Sequence, residues 1–107
     1  MAHPVAGDVV GNVARAKRWL AWCLEELAGV VVIAPWVHDI ECLPLRDEDP
    51  GDRMLSLERC AAAAGVCDGV VLVGGRVSEG MAYEAARARE VIDLTHLGAE
   101  PPERRQT

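Results

Sequence analysis

The 107-residue chain has no phenylalanine and a single tyrosine, so three tryptophans are the only large hydrophobic rings available to a core. Lysine and arginine are scarce too: 11 of them face 17 aspartates and glutamates, for a formal net charge of −6. A binder of a nucleic-acid polymer needs clustered basic residues, and this balance argues against one. No apolar run approaches the length of a membrane span, so no membrane partner is expected. A basic segment followed by an apolar stretch is missing at the start. No signal peptide is therefore read, and a cytoplasmic location is expected. Cys23, Cys42, Cys60 and Cys67 form no C-x-x-C pair, and His3, His38 and His96 are scattered. Metal-site spacing is absent, and no metal or other cofactor is expected.

What remains is enough for one core. Half of the residues are apolar, dominated by alanine and valine, which fits a single domain of this length. The pattern alternates. Residues 2–6 read as a short strand, followed by a loop with Gly7 and Gly11 at its ends. Asn12 is a good N-cap for a helix over residues 13–27, whose Val13, Ala16, Leu20, Cys23, Leu24 and Leu27 recur at helical spacing. The run "VVVIA" at 30–34 has the look of a strand covered on both faces. Residues 35–53, with three prolines and many acids, read as a long irregular loop. A helix over 54–64, a strand over 69–73, a helix over 80–90 and a strand over 91–95 follow, with a fraying tail from Gly98. Strands alternating with helices predict a parallel α/β sheet of about four strands, helices on both faces. Residues 1–98 would form that domain and residues 99–107 a flexible tail.

Ligands of such sheets bind beyond the carboxyl ends of the strands. Three segments are expected there, 7–11, 35–41 and 74–80. Gly74 and Gly75 permit a sharp turn. Ser78 can cap the next helix by accepting from a backbone N–H near Met81, leaving a helix N-terminus suited to an anion. Gly80 and Glu84 are four apart and share one face, so a ligand lying on the glycine backbone would be within reach of the carboxylate. The competing reading is a plain tight turn with Glu84 in solvent. Gly7, Asp8 and Asn12 resemble a second anion cradle, without the lysine of a P-loop. Trp36 follows the second strand directly, where it would either stack on a nucleobase or pack under the long loop. Trp22 lies nearly opposite the apolar stripe of the first helix and Trp19 at its flank, which predicts a homodimer or higher homo-oligomer using both.

The segments "HPVAGDVVGNVARAKRWLAW", "VVVIAPW", "CDGVVLVGGRVSEGMAYEAARA" and "VIDLTHLG" together resemble the nucleoside 2-deoxyribosyltransferase-like superfamily, in particular its small DUF4406 members. That resemblance implies a flavodoxin-like sheet and cleavage of an N-glycosidic bond. Its catalytic glutamate matches Glu84, which would attack the anomeric carbon of the sugar. A serine where this chain has Ser78 marks the nucleotide hydrolases of the superfamily, so a deoxynucleoside 5′-monophosphate is the implied substrate. A transferase acting on free nucleosides and a nucleotide-binding module without catalysis are the alternatives. The second helix carries alanines 61–64 where transferases have an acid, with Glu58 the nearest substitute. Asp8, Asp39 and Glu41 are the candidates for the general acid.

Overall fold

The computed structural model describes residues 1–43 and 45–103. It is mostly helical: α1 Val9–Glu26, α2 Pro35–Cys42, α3 Pro50–Val66, β1 Val70–Leu72, α4 Glu79–Ala85 and β2 Val91–Asp93, closed by a 3₁₀ turn at Thr95–Leu97. β1 and β2 are parallel, with Val70 opposite Val91 and Leu72 opposite Asp93. Among the described residues this two-stranded sheet is the only one. The expected flavodoxin-like sheet of four strands with helices on both faces is therefore corrected to a helical domain around a minimal parallel sheet.

The two absent strands fail for different reasons. The first apolar segment reaches β1 but makes only one bridge, Ala2 to Leu72, through Ala2 N to Val71 O and Val73 N to Ala2 O at 2.9 and 3.0 Å. Asn12 then draws the chain away, its Nδ2 donating to Val5 O at 2.9 Å and to Ala6 O at 3.3 Å. The run at 30–34 has no ladder; its link to the first segment is the Met1 amine donating to Ile33 O. Val31 is 89 % exposed. A β-branched run shows that a segment suits a pleated, covered surface, but it does not supply the partner strand. β1 does have its cover. Val71 and Val73 point into a cluster with α1, α2 and α3, and Val70 and Leu72 into one with Ala64 and Met81. The alternation of a strand thus feeds two small cores.

The helices also shift from their expected bounds. Asp8, and not Asn12, caps α1, accepting from Gly11 N at 3.1 Å. The buried stripe is Asn12, Ala16, Trp19 and Cys23, an i, i+4, i+7, i+11 series centred on the indole. Trp19 is fully buried and its Nε1 donates to Ala99 O at 2.8 Å. Trp22 packs edge-on against it, with ring centroids 5.5 Å apart. Trp19 therefore cannot serve a partner surface, because the largest apolar side chain of α1 is drawn to the centre of the core. Beyond Gly98, residues 99 and 100 contact α1. Arg18 holds Glu100 through two bonds of 3.0 and 2.8 Å. The rest of the expected tail, residues 104–107, lies outside the described residues.

α2 forms inside the segment read as a loop. Pro35 stands at its first position, where a missing N–H costs nothing, and Trp36, Val37 and Asp39 are buried. α3 starts four residues early because Asp49 caps it, accepting from Asp52 N at 3.0 Å, with Pro50 next. α4 ends early, at Ala85. Arg87 lies 3.7 Å over the Tyr83 ring, and its Nη1 donates to Tyr83 O, satisfying a carbonyl of the last turn.

Asp39 is fully buried, and it accepts from Ser56 Oγ and Arg59 Nε, both at 2.9 Å, tying α2 to α3. Replacing Arg59 with methionine strands that carboxylate. The expected cost is about 1–3 kcal/mol, nearer the lower figure because the guanidinium is half exposed. Urea denaturation at neutral pH would check it, and an unchanged midpoint would count against this buried pair as a stabilising contact.

Candidate functional site

Residues 3–6, α2, the 45–47 segment, α3 and α4 enclose an open cleft of about 90 Å³. Of the residues singled out from sequence, Trp36, Ser78, Gly80 and Glu84 line it. Ser78 caps α4, its Oγ accepting from Met81 N at 3.3 Å. Glu84 follows one turn after Gly80 and lies beside Cys60. Gly80 is explained mainly by packing: a Cβ there would stand 3.1 Å from Leu57 Cδ2 on α3. Its missing side chain lets the two helices close and brings Glu84 beside Cys60.

Gly7, Asp8, Asn12, Gly74 and Gly75 do not line the cleft. Asp8 caps α1, and Asn12 ties down residues 5 and 6. Gly7 turns with φ +98° ahead of that cap. Gly74, at φ +103°, passes within 2.8 Å of the His3 ring nitrogen if a Cβ is placed on it, and Gly75 packs similarly against Ala99. They shape the turn after β1 around its neighbours.

The acid candidates separate cleanly. Asp39 is spent on Arg59 and Ser56, Glu41 pairs with Lys17, and Asp8 caps a helix. Glu58 is exposed and outside the cleft. Glu84 is different: it is 8 % exposed and forms no ion pair with an arginine, lysine or histidine side chain among the described residues. Burial pushes its carboxyl above the ordinary glutamate range, opposed by the Met1 ammonium and by the Cys60 thiol alongside it. Burial, and then the Glu84 charge, push the Cys60 thiol up to about 12, which keeps it protonated and excludes thiolate chemistry.

Several lining residues carry no sequence motif. Arg46, Arg53 and Arg76 reach the cleft from three segments, and so do Asp47 and Asp52. Arg46 pairs with Glu48 at 2.9 Å, whereas Arg53 and Arg76 form no ion pair among the described residues. Asp52 Oδ2 accepts from Arg46 N at 3.0 Å, holding the loop onto α3. His3 stacks on Trp36, with centroids 6.2 Å apart and planes 17° from parallel. Burial lowers the His3 pKa, so the ring is neutral, and its Nδ1 donates to Pro4 O at 2.7 Å. Its Nε2 and the Trp36 Nε1 are buried without a hydrogen-bond partner in the protein. Only spatial folding brings these groups together, and the one local hint was the arginine inside the glycine turn. Among the described residues, no group of three or more His, Cys, Asp or Glu side chains is placed to hold a metal ion. None of the described helices is long and apolar enough to cross a membrane.

A cleft lined by a buried carboxylate, two arginines without an ion pair and an aromatic wall can bind an anionic, ring-bearing molecule and present a nucleophile or proton carrier to it. Comparison with known proteins assigns no chemistry. A family model described as a domain of unknown function, DUF7768, matches residues 1–93. No curated protein and no solved structure matches. The resemblance to the nucleoside 2-deoxyribosyltransferase-like superfamily and its DUF4406 members is corrected by that match, which covers all of those segments but the end of the last. The chain belongs to the DUF7768 family.

Proposed function

We propose that this DUF7768 member is an N-glycosidase that releases the base from a deoxynucleoside 5′-monophosphate, with Glu84 as nucleophile. The observation that carries the reading is the position of Glu84. A carboxylate buried without a basic side-chain partner is costly unless it is used, and this one opens on a cleft rimmed by two free arginines.

Arg53 and Arg76 match the charge of about −2 on a phosphate monoester. Trp36, backed by His3, offers a flat face to the base. A Glu84 oxygen attacks C1′ and the C1′–N bond breaks. Its electron pair leaves with the base nitrogen, which takes a proton. Asp47 lines the cleft and has no hydrogen bond or ion pair among the described residues, so it is the better of the two aspartates to supply that proton. Water then gives a proton to the Asp47 carboxylate and attacks C1′ of the glycosyl ester; the C1′–O bond to Glu84 breaks, regenerating its carboxylate and giving 2-deoxyribose 5-phosphate. The chemistry is that of retaining glycoside hydrolysis. A 2-deoxy sugar suits a site with one buried carboxylate, because the missing hydroxyl removes an electron-withdrawing group from the oxocarbenium-like transition state. The enclosed volume is below the ~300 Å³ at which ligand pockets usually begin, so the phosphate end lies in the open mouth among the arginines.

Incubation with each of the four deoxynucleoside monophosphates, followed by chromatography for free base, tests the proposal. Base release that needs the 5′-phosphate is expected. Binding without release would make the protein a nucleotide-binding module. Exchange of bases on free nucleosides would make it a transferase. The Arg53→Gln and Arg76→Gln variants should each weaken monophosphate binding about 10–100-fold, the worth of a charge-assisted bond, and leave nucleoside binding nearly unchanged. Equal losses for nucleoside and nucleotide would remove the arginines from the phosphate site.

A further inference from the structure

Behind the cleft lies a second and larger space. An open cavity of about 780 Å³ separates the 28–33 segment from β1, β2 and the end of α3. Cys60 and Glu84 line both spaces, so they form the partition between them. Most of the rear wall is aliphatic. Val31 and Val66, which contribute to it, are 89 % and 80 % exposed. The volume falls within the ~300–1,000 Å³ of small-molecule sites.

The charges in this cavity are one-sided. Glu26, Asp68, Glu84 and Glu90 line it, and no lysine, arginine or histidine does. The positive group that lines it is the Met1 ammonium, which already donates to Ile33 O. Asp68 and Glu90 are solvent-exposed and lie at the same end of the cavity, where Val70 N donates to Glu90 O at 2.8 Å and a Cβ on Gly69 would stand 3.3 Å from Glu90 Cβ. Neither forms an ion pair with any described residue. The nearest cations in sequence, Arg87 and Arg89, stay outside.

We infer that this cavity is a second binding site, for a small apolar molecule that carries one ammonium group. The aliphatic wall takes the apolar body, and Asp68 and Glu90 take the cation. A carboxylate ligand would meet four like charges. A second copy of the chain would bring the same unpaired acids against these.

Isothermal titration with 4-phenylbutylammonium, 4-phenylbutanol and 5-phenylpentanoate tests the site on the full chain, independently of any glycosidase assay. The ammonium compound is expected to bind with 1:1 stoichiometry, at least tenfold tighter than the carboxylate. Asp68→Asn with Glu90→Gln should weaken the ammonium compound about tenfold and leave the alcohol unchanged. Val31→Lys, at a surface position the fold does not need, should weaken the ammonium compound and the alcohol. Equal affinity for ammonium and carboxylate would overturn the inference, as would no saturable binding by the wild type. So would sedimentation showing a wild-type dimer that Val31→Lys separates, since a second copy would then be the occupant.

Discussion

Replacing Glu84 with glutamine is expected to abolish base release, by roughly 10³-fold or more, while raising the thermal midpoint at neutral pH. The first effect follows from losing the nucleophile with its shape kept. The second follows from the direction in which burial moves the carboxyl. Its folded pKa lies above the ordinary glutamate value, so its contribution to stability is complete below that ordinary value. The contribution is lost as the pH rises through the raised folded value. Above that raised value the wild type holds a desolvated charge, and glutamine does not. The two midpoints should converge in acid and separate towards neutrality, by about 4–8 °C for each kcal/mol relieved. The activity of the wild type should fall on acidification at a pH above the usual glutamate range, because attack needs the ionised form. Full activity in the glutamine variant, or a midpoint difference independent of pH, would defeat this account of Glu84.

Trp19→Ala is expected to be the most damaging single change to the fold. Large-to-small truncation of a buried tryptophan costs about 3–5 kcal/mol. A domain of this size has about 5–15 kcal/mol in total, so from about a fifth to nearly all of the stability would go. Trp22→Ala, at a half-buried flank, should cost clearly less. Urea denaturation of the two variants beside the wild type reads the difference. A Trp19→Ala protein with an unchanged midpoint and altered association would restore Trp19 to a partner surface and remove it from the core.

Sequence and structure part company where a local pattern has two physical meanings. "VVLV" at 70–73 and "VVVIA" at 30–34 carry the same signal, and only the first has neighbours on both sides. Pro35 was read with Pro44 and Pro50 as a mark of irregular chain, yet at a helix's first position proline favours the helix that follows. Trp19 and Leu20 are adjacent on α1, and periodicity alone could not decide which of them faces inward. The Ser78 cap and the relation of Gly80 to Glu84 were legible because they depend on spacing within one helix. His3, Arg53, Arg76 and Asp47 were not, because they meet only through the packing of distant segments. Glu84 shows the limit best. Its place one turn past Gly80 was readable, while its burial beside Cys60 depends on how α3 packs against α4.

The bonds that pin residues 99 and 100 to α1 join groups 80 and 82 positions apart. Contacts so remote in sequence close nearly the whole chain into one ring, at a loop entropy that most of the molecule must already have met. They are expected to close after the rate-limiting step of folding, so loosening the strap from Ala99 to Glu100 should speed unfolding more than it slows folding.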